Sequence, residues 1–482
     1  MNASDNKKKS KVVVLGAGLT GLSAAWKLAE QGFGVTVLDR NPFVGGLAAT
    51  FRRDGYIFDY GPHRYHTRVD YLVDEVADLL EGALDRRVRI THFYFDNRYF
   101  QYPLKAENIF SVMDFTQVVK CAASYAKAAL RRRLLPSESK DFEDWCRSHF
   151  GGELYDYFFG PYTEKVWGVP PSQMSVRWAA QRIALESLWD AFVRLFNEKR
   201  QLRNPYEYTH SPYVSEFFYP MDGIGRICER LSEETRASGG EIKLGANVEK
   251  VLLGEDGQVA GILAAAGGKT EEVPADFVIS TLPINNLMLM LEPAVPDTVA
   301  AAARGLRFRA TKFLFVMLNQ HKVTTDHWIY FADRHVLFNR ISEMRNFTPM
   351  AAPWNRTSLT LEISCDEGDE IWNAGADWLY ERSIGDLEAA SLTERKQVAG
   401  FWAERVHTTY PIYLKNFDTN LITAKKHLAG IPNLITCGRQ GLFTYINMDH
   451  AMMMGFGAAQ GVVEGKAQDA LRLIGSEQLY FG

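Results

Sequence analysis

Residues Val12 to Leu15 form an apolar run of strand length, and Gly16-Ala17-Gly18-Leu19-Thr20-Gly21 follows without a break. An alanine-rich helical stretch, Leu22 to Ala29, comes next, and a second apolar run, Val35-Thr36-Val37-Leu38, ends in Asp39. Strand, glycine turn, helix, strand and acid in that order constrain the chain to a dinucleotide-binding α/β unit. Gly16 permits the tight turn, Gly18 lets the backbone approach a pyrophosphate, and Gly21 lets the helix pack closely on the strand. The helix start at Leu19 and Thr20 offers free N–H groups and a partial positive charge to phosphate. Asp39, eighteen residues past Gly21, stands where a carboxylate accepts hydrogen bonds from an adenosine ribose.

Composition narrows the class. With 482 residues, 46% of them hydrophobic, the chain can bury two or three cores. A net charge of −4 gives no electrostatic case for nucleic acid. Five scattered cysteines without a CxxC read as reduced thiols, with no metal site and no disulfide frame. The polar N-terminus is no secretory signal and no run of eighteen apolar residues exists, so the expectation is a cytoplasmic protein without a membrane span. The tail, residues 475–482, reads as a protease-site remnant outside the fold.

The first hundred residues read as strand, helix, strand and then a looped aromatic stretch, and from about Asn108 to Arg200 the pattern is helical. Arg131-Arg132-Arg133 closes one of these helices and reads as a solvated basic end, contact with an anionic surface being the second reading. Glu241 to Leu244, Ala246 to Val251 and Val259 to Leu263 suggest a meander, and Phe277 to Thr281 a parallel strand rejoining the nucleotide unit. Thr311 to Leu318 and Ser358 to Ser364 alternate like strands of a second sheet. Asn433 to Gly438 is a last buried strand, followed by a small-residue helix from Asp449. The expected divisions are a nucleotide-binding domain from 10–105, 220–290 and 425–474, a helical insertion at 106–219, and a sheet-containing substrate domain at 291–424.

Past Asp39, the stretch Arg40-Asn41-Pro42-Phe43-Val44-Gly45-Gly46-Leu47 carries a double glycine that resembles FAD-binding proteins of the amine oxidase and UDP-galactopyranose mutase superfamily. Four further segments resemble the mutases: Tyr60-Gly61-Pro62-His63-Arg64-Tyr65-His66-Thr67, Phe158 to Gly168, Asn339 to Glu343, and Gly438 to Asp449. The chain also resembles a looser set of bacterial flavoproteins called protoporphyrinogen oxidase-like. The fold implied is α/β: an FAD-binding Rossmann-type (GR2-like) domain built from discontinuous segments, with a helical insertion and a mixed-sheet substrate domain. By the resemblance, FAD is held by Gly16, Gly18, Leu19, Thr20, Gly21, Asp39, Arg40, Gly45, Gly46, Leu47, Gly61, Pro62, His63, Val248, Gly438, Arg439, Met448 and Asp449. Asp449 is also a candidate cap for the last helix.

The same resemblance gives catalytic roles to His63, Arg64, Trp167, Arg340, Arg439 and Tyr445, and substrate contacts to Phe159, Tyr162, Arg182, Arg340, Arg439 and Tyr445. Each has a plainer reading: His63 as a structural histidine, Tyr162 and Trp167 as core aromatics, each arginine as a salt-bridge partner. Several arginines converging on one pocket suit a diphosphate, which a guanidinium fork binds in bidentate fashion. The sequence departs from the mutases at Arg64, where they carry an aliphatic residue, at Pro161, and over Glu186 to Tyr213. A cation at Arg64 is expected to reach flavin or substrate, or else to pair with an acid such as Asp59. The favoured expectation is a pyranose/furanose isomerase of a nucleoside-diphosphate sugar that uses reduced FAD as nucleophile, with an external reductant as a possible partner. The alternatives are an FAD-dependent oxidase, dehydrogenase or desaturase of a sugar or other small metabolite, and a flavin-binding protein without turnover.

Overall fold

A computed structural model describes residues 10–67, 69–101, 113–178 and 216–465. Arg182 and the tail at 475–482 lie outside the described residues, as does the whole of Glu186 to Tyr213.

The glycine fingerprint builds the centre of a five-stranded parallel sheet. Strand β1 (Lys11–Leu15) lies between β2 (Gly34–Asp39) and β13 (Phe277–Ser280), with β9 (Glu241–Leu244) and β20 (Leu434–Thr436) at the edges. A parallel sheet is covered on both faces, which is why β1 is apolar at successive positions. Val12 and Val14 enter one core with helix α1 (Leu19–Glu30), while Val13 and Leu15 enter another on the opposite face. Helix α6 (Met448–Val463) crosses α1 at Gly455, where an added Cβ would sit 2.4 Å from the Thr20 carbonyl oxygen. The small residues of this last helix thus serve backbone-to-backbone contact.

The second face is closed by a sheet in the order β12 (Lys269–Pro274), β11 (Val259–Ala266), β10 (Asn247–Leu253), β14 (Leu291–Glu292). One expectation is corrected here. Glu241 to Leu244 is not part of this meander; as β9 it pairs in parallel with β2. Four residues of mixed polarity fit either sheet, and only the pairing partner decides.

The third layer is a seven-stranded sheet in the order β19 (Val398–Pro411), β15 (Phe308–Leu318), β18 (Thr357–Cys365), β17 (Arg340–Glu343), β16 (Trp328–Phe331), β6 (Thr91–Phe95), β7 (Arg98–Gln101). Strand β15 is buried on both faces: Leu314, Val316 and Leu318 pack with Leu379 and Ile384, whereas Phe313, Phe315 and Met317 pack with Phe58 and Tyr60. Strands β6 and β7 fall within 10–105 yet hydrogen-bond into this sheet. The stretch expected to be looped in fact holds β3 (Thr50–Arg53), β4 (Tyr56–Asp59), a helix at Asp70–Leu79 and β5 (Leu84–Val88), which pairs with β8 (Glu216–Pro220). Helices α2 (Phe115–Leu134), α3 (Phe142–Phe150) and α4 (Gly160–Trp167) follow, with a π-helical turn at Tyr155–Phe159 leading into α4. Helix α5 (Arg226–Ala237) packs beside α1.

Candidate active site

The three layers enclose one cleft of about 1100 Å³ that runs from the glycine turn to the seven-stranded sheet. Its nucleotide end is built from backbone. Gly16 has φ +106°, and a Cβ there would lie 2.3 Å from Thr281 Oγ1. At Gly21 a Cβ would fall 2.0 Å from the Gly16 carbonyl oxygen, so this glycine serves the strand–helix contact. Gly18 differs: nothing in the protein comes nearer to its Cβ position than Gly45 O at 4.0 Å. The space beside it opens to the cleft, and α1 starts there without a side-chain cap. Such a start leaves N–H groups for a ligand's phosphate.

The Gly45 N–H donates to Ala17 O at 2.8 Å, tying the double glycine to the first turn. Asp39 accepts the Ala17 N–H on Oδ2 and the Asn41 N–H on Oδ1, each at 2.8 Å. Burial raises its pKa and these two N–H groups oppose the rise. Arg40, Gly46, Leu47 and Val248 line the same end. The residues present therefore fit a dinucleotide, and FAD is the cofactor they would hold.

At the other end β4 delivers the Gly61-Pro62-His63-Arg64 loop. Gly61 has φ +80°, and a Cβ there would lie 2.3 Å from Glu362 Oε1. His63 Nδ1 is buried without a hydrogen-bond partner. Burial, then the charges of Arg439, Arg340 and Arg64, push its pKa down to about 3, so the ring is neutral near pH 7. Arg64 lines the cleft with its guanidinium 4.8 Å from the centre of the Trp328 ring. The alternative pairing of Arg64 with Asp59 does not form. Asp59 takes the hydroxyls of Thr50 and Tyr219, each at 2.6 Å.

The sheet supplies the two arginines' surroundings by register. Across β6, β16, β17 and β18 the residues Phe93, Tyr330, Arg340 and Glu362 stand directly opposite one another in turn. Arg340 and Glu362 therefore share a face, and they form a two-pronged ion pair in which Nη2 reaches Oε2 at 2.6 Å and also the Tyr410 hydroxyl at 3.2 Å. Burial pulls the Arg340 pKa down, but the Glu362 carboxylate overrides it and holds it well above the ordinary value. Arg340 is thus the salt-bridge partner of Glu362, as its plainer reading has it, while still lining the cleft.

Arg439 has no such partner. It is half-buried, its guanidinium lies 4.0 Å over the Tyr445 ring and 5.0 Å from Tyr410, and Nε and Nη2, both buried, lack any acceptor. No carboxylate is paired with it among the described residues, and burial lowers its pKa. Tyr410 and Tyr445 stack nearly parallel with centroids 5.7 Å apart. Gly438 (φ +80°) starts this turn against Thr20.

The remaining candidates divide. Pro62, Gly438, Met448 and Tyr445 line the cleft. Trp167 is buried behind Tyr410, 5.8 Å away, and against Trp178 at 4.3 Å. Phe159 stacks on Phe150, and Tyr162 packs on Phe158 and Phe93. These three aromatics support the wall from behind. Asp449 is not the cap of α6, since Asn447 takes that position; Asp449 sits buried in the first turn, its Oδ1 without a hydrogen bond and 3.7 Å from His450 Nδ1. Glu362, Tyr410 and Tyr330 were not singled out in the sequence. A signal existed for Glu362, an acid inside the apolar Leu359-Thr360-Leu361-Glu362-Ile363, because a buried charge demands a partner.

Comparisons with known proteins agree with this fold. Residues 19–374 match the family model for flavin-containing amine oxidoreductases. A probable UDP-galactopyranose mutase of Klebsiella pneumoniae is 30% identical over 171 residues, 34% of this chain and 42% of that protein, so the match spans less than half of that relative. A 1-hydroxycarotenoid 3,4-desaturase of a Flavobacterium species is 22% identical over 388 residues, 75% of each chain. The solved structure of a reduced UDP-galactopyranose mutase shares the fold with a TM-score of 0.80, over 98% of this chain and all of that one, at 23% identity.

Proposed function

The chain belongs to the flavin-containing amine oxidoreductase family and is an FAD-dependent enzyme, and on that premise we propose that it acts on a nucleoside-diphosphate sugar as a mutase-like pyranose/furanose isomerase. The observation that carries this reading is Arg439: a half-buried cation at the cleft, beside two tyrosine rings, whose buried Nε and Nη2 have no acceptor among the described residues. Burying an unpaired charge is expensive unless a ligand supplies the opposite one. A diphosphate does so, with Tyr410 and Tyr445 offering hydroxyls to its remaining oxygens. The desaturase relative favours a second reading, an FAD-dependent oxidoreductase of a sugar or other small metabolite. An uncharged polyene substrate, however, offers Arg439 nothing.

Bound FAD supplies a nucleophile toward an anomeric carbon when reduced and a two-electron acceptor when oxidised. The chain's own residues do the rest. Arg439 orients the nucleotide, Glu362 keeps Arg340 fixed at the sheet, and His63, neutral, accepts or donates a hydrogen bond without adding charge. Arg64 adds a further cation beside His63. Arg439→Ala should weaken UDP binding by about 10- to 150-fold, from the loss of a charge-assisted contact of about 1.5–3 kcal/mol. FAD content should remain near that of the parent protein. Calorimetric titration with UDP checks this, and an unchanged affinity contradicts a phosphate-bearing substrate.

A further inference from the structure

Helix α2 (Phe115–Leu134) is twenty residues long and contributes no buried residue. Its inner side rests on α3 and the turn after it: Arg132 Nη1 donates to the Ser148 carbonyl at 3.0 Å, and the Glu153 N–H donates to Ser124 Oγ at 3.2 Å. Its outer side is apolar. Phe115 is 81% exposed, Val119 49%, Leu130 58% and Leu134 67%. With Ala123 and Ala126, also exposed, they recur at three- and four-residue steps and fall within one stripe, which exposed Arg133 interrupts at its C-terminal end. Lys120, Lys127 and Arg131, all exposed, run along one edge of that stripe, again at helical spacing.

Between residues 115 and 135 there are five basic side chains (Lys120, Lys127, Arg131, Arg132, Arg133) and no acidic one, although the whole chain carries −4. A basic helix end complements the helix dipole and explains Arg131 to Arg133. It explains neither the two lysines further back nor the apolar stripe.

We propose that α2 is a peripheral docking surface for an anionic lipid bilayer, lying in the headgroup plane with Phe115, Val119, Leu130 and Leu134 inserted. An apolar stripe about 30 Å long with lysine and arginine beside it is the pattern of an interfacial helix. Charge selects this occupant over a second copy of the chain. An antiparallel two-fold pairing of α2 with itself sets the basic edge of one copy against the same edge of the other, and a parallel pairing offers that edge no acid, since the helix carries none. Anionic headgroups meet the same edge with attraction. The surface is separate from the cleft, so it does not depend on which substrate the cleft accepts.

The test is co-sedimentation of the full FAD-loaded chain with vesicles of phosphatidylcholine, with and without phosphatidylglycerol. Binding should require phosphatidylglycerol and weaken as salt rises. Lys127→Gln should lower vesicle affinity by about fivefold. The double variant Val119→Glu, Leu130→Glu should abolish binding with flavin absorbance and melting temperature unchanged. No sedimentation with phosphatidylglycerol vesicles overturns the proposal. A solution dimer that Leu130→Glu converts to monomer also overturns it, in favour of a second copy. A melting temperature lowered by Leu130→Glu, with vesicle binding unaltered, assigns the stripe to packing within the chain and likewise overturns it.

Discussion

Gly18→Val yields a folded protein without its yellow colour. The expectation rests on the contrast between two glycines of the same turn. A side chain at Gly21 collides with the Gly16 carbonyl oxygen at 2.0 Å and breaks the strand–helix contact. A Cβ at Gly18 meets nothing in the protein nearer than the Gly45 carbonyl oxygen at 4.0 Å, and the residue has φ −80°, which valine adopts without strain. Only the FAD pyrophosphate competes for that space. Circular dichroism should therefore be that of the parent while flavin absorbance is lost, and Gly21→Val should lose both. A Gly18→Val protein that purifies with a full complement of FAD contradicts the assigned cradle.

Arg340→Ala should destabilise the fold by roughly 3–5 kcal/mol, the usual consequence of leaving one partner of a buried ion pair alone. Glu362 is only 1% exposed, and its carboxylate also abuts the Gly61 turn that carries His63. Removing the guanidinium strands that charge under the loop. The double variant Arg340→Met, Glu362→Leu removes both charges and should recover most of the loss, since apolar groups of similar volume replace such pairs at little cost. Thermal melts of the three proteins measure it. A single variant that melts with the parent would show that Glu362 does not depend on Arg340.

The nucleotide end of the cleft was legible in the sequence because its constraints are local. Strand, turn, helix and acid lie within thirty residues, and each glycine's role follows from its immediate neighbours. The sheet end was legible only as isolated residues. Arg340 and Arg439 read as equivalent guanidiniums, yet the register between β17 and β18 places Glu362 opposite one and nothing comparable beside the other. Pairing across a sheet is a property of two strands and cannot be read from either. Aromatic identity likewise does not separate a cavity wall from the layer behind it. Trp167 and Tyr162 stand behind the wall, while Tyr410, at the end of an unremarkable Thr-Thr-Tyr-Pro stretch, forms it. Arg64 was noticed as a departure from the mutase pattern, and Trp328, which its guanidinium overlies, comes from a strand more than two hundred and sixty positions away.

Turnover without net redox change is the property that separates the proposed isomerase from every oxidoreductase on this fold. The decisive measurement incubates dithionite-reduced and oxidised enzyme, each anaerobically, with a panel of UDP-hexopyranoses, and follows products by mass and flavin absorbance together. Expected is an isomer of unchanged mass formed only by the reduced enzyme, with the flavin as reduced at the end as at the start. Product formed by the oxidised enzyme, two hydrogens lighter and matched by bleaching of the flavin, would contradict it and assign the cleft to substrate oxidation.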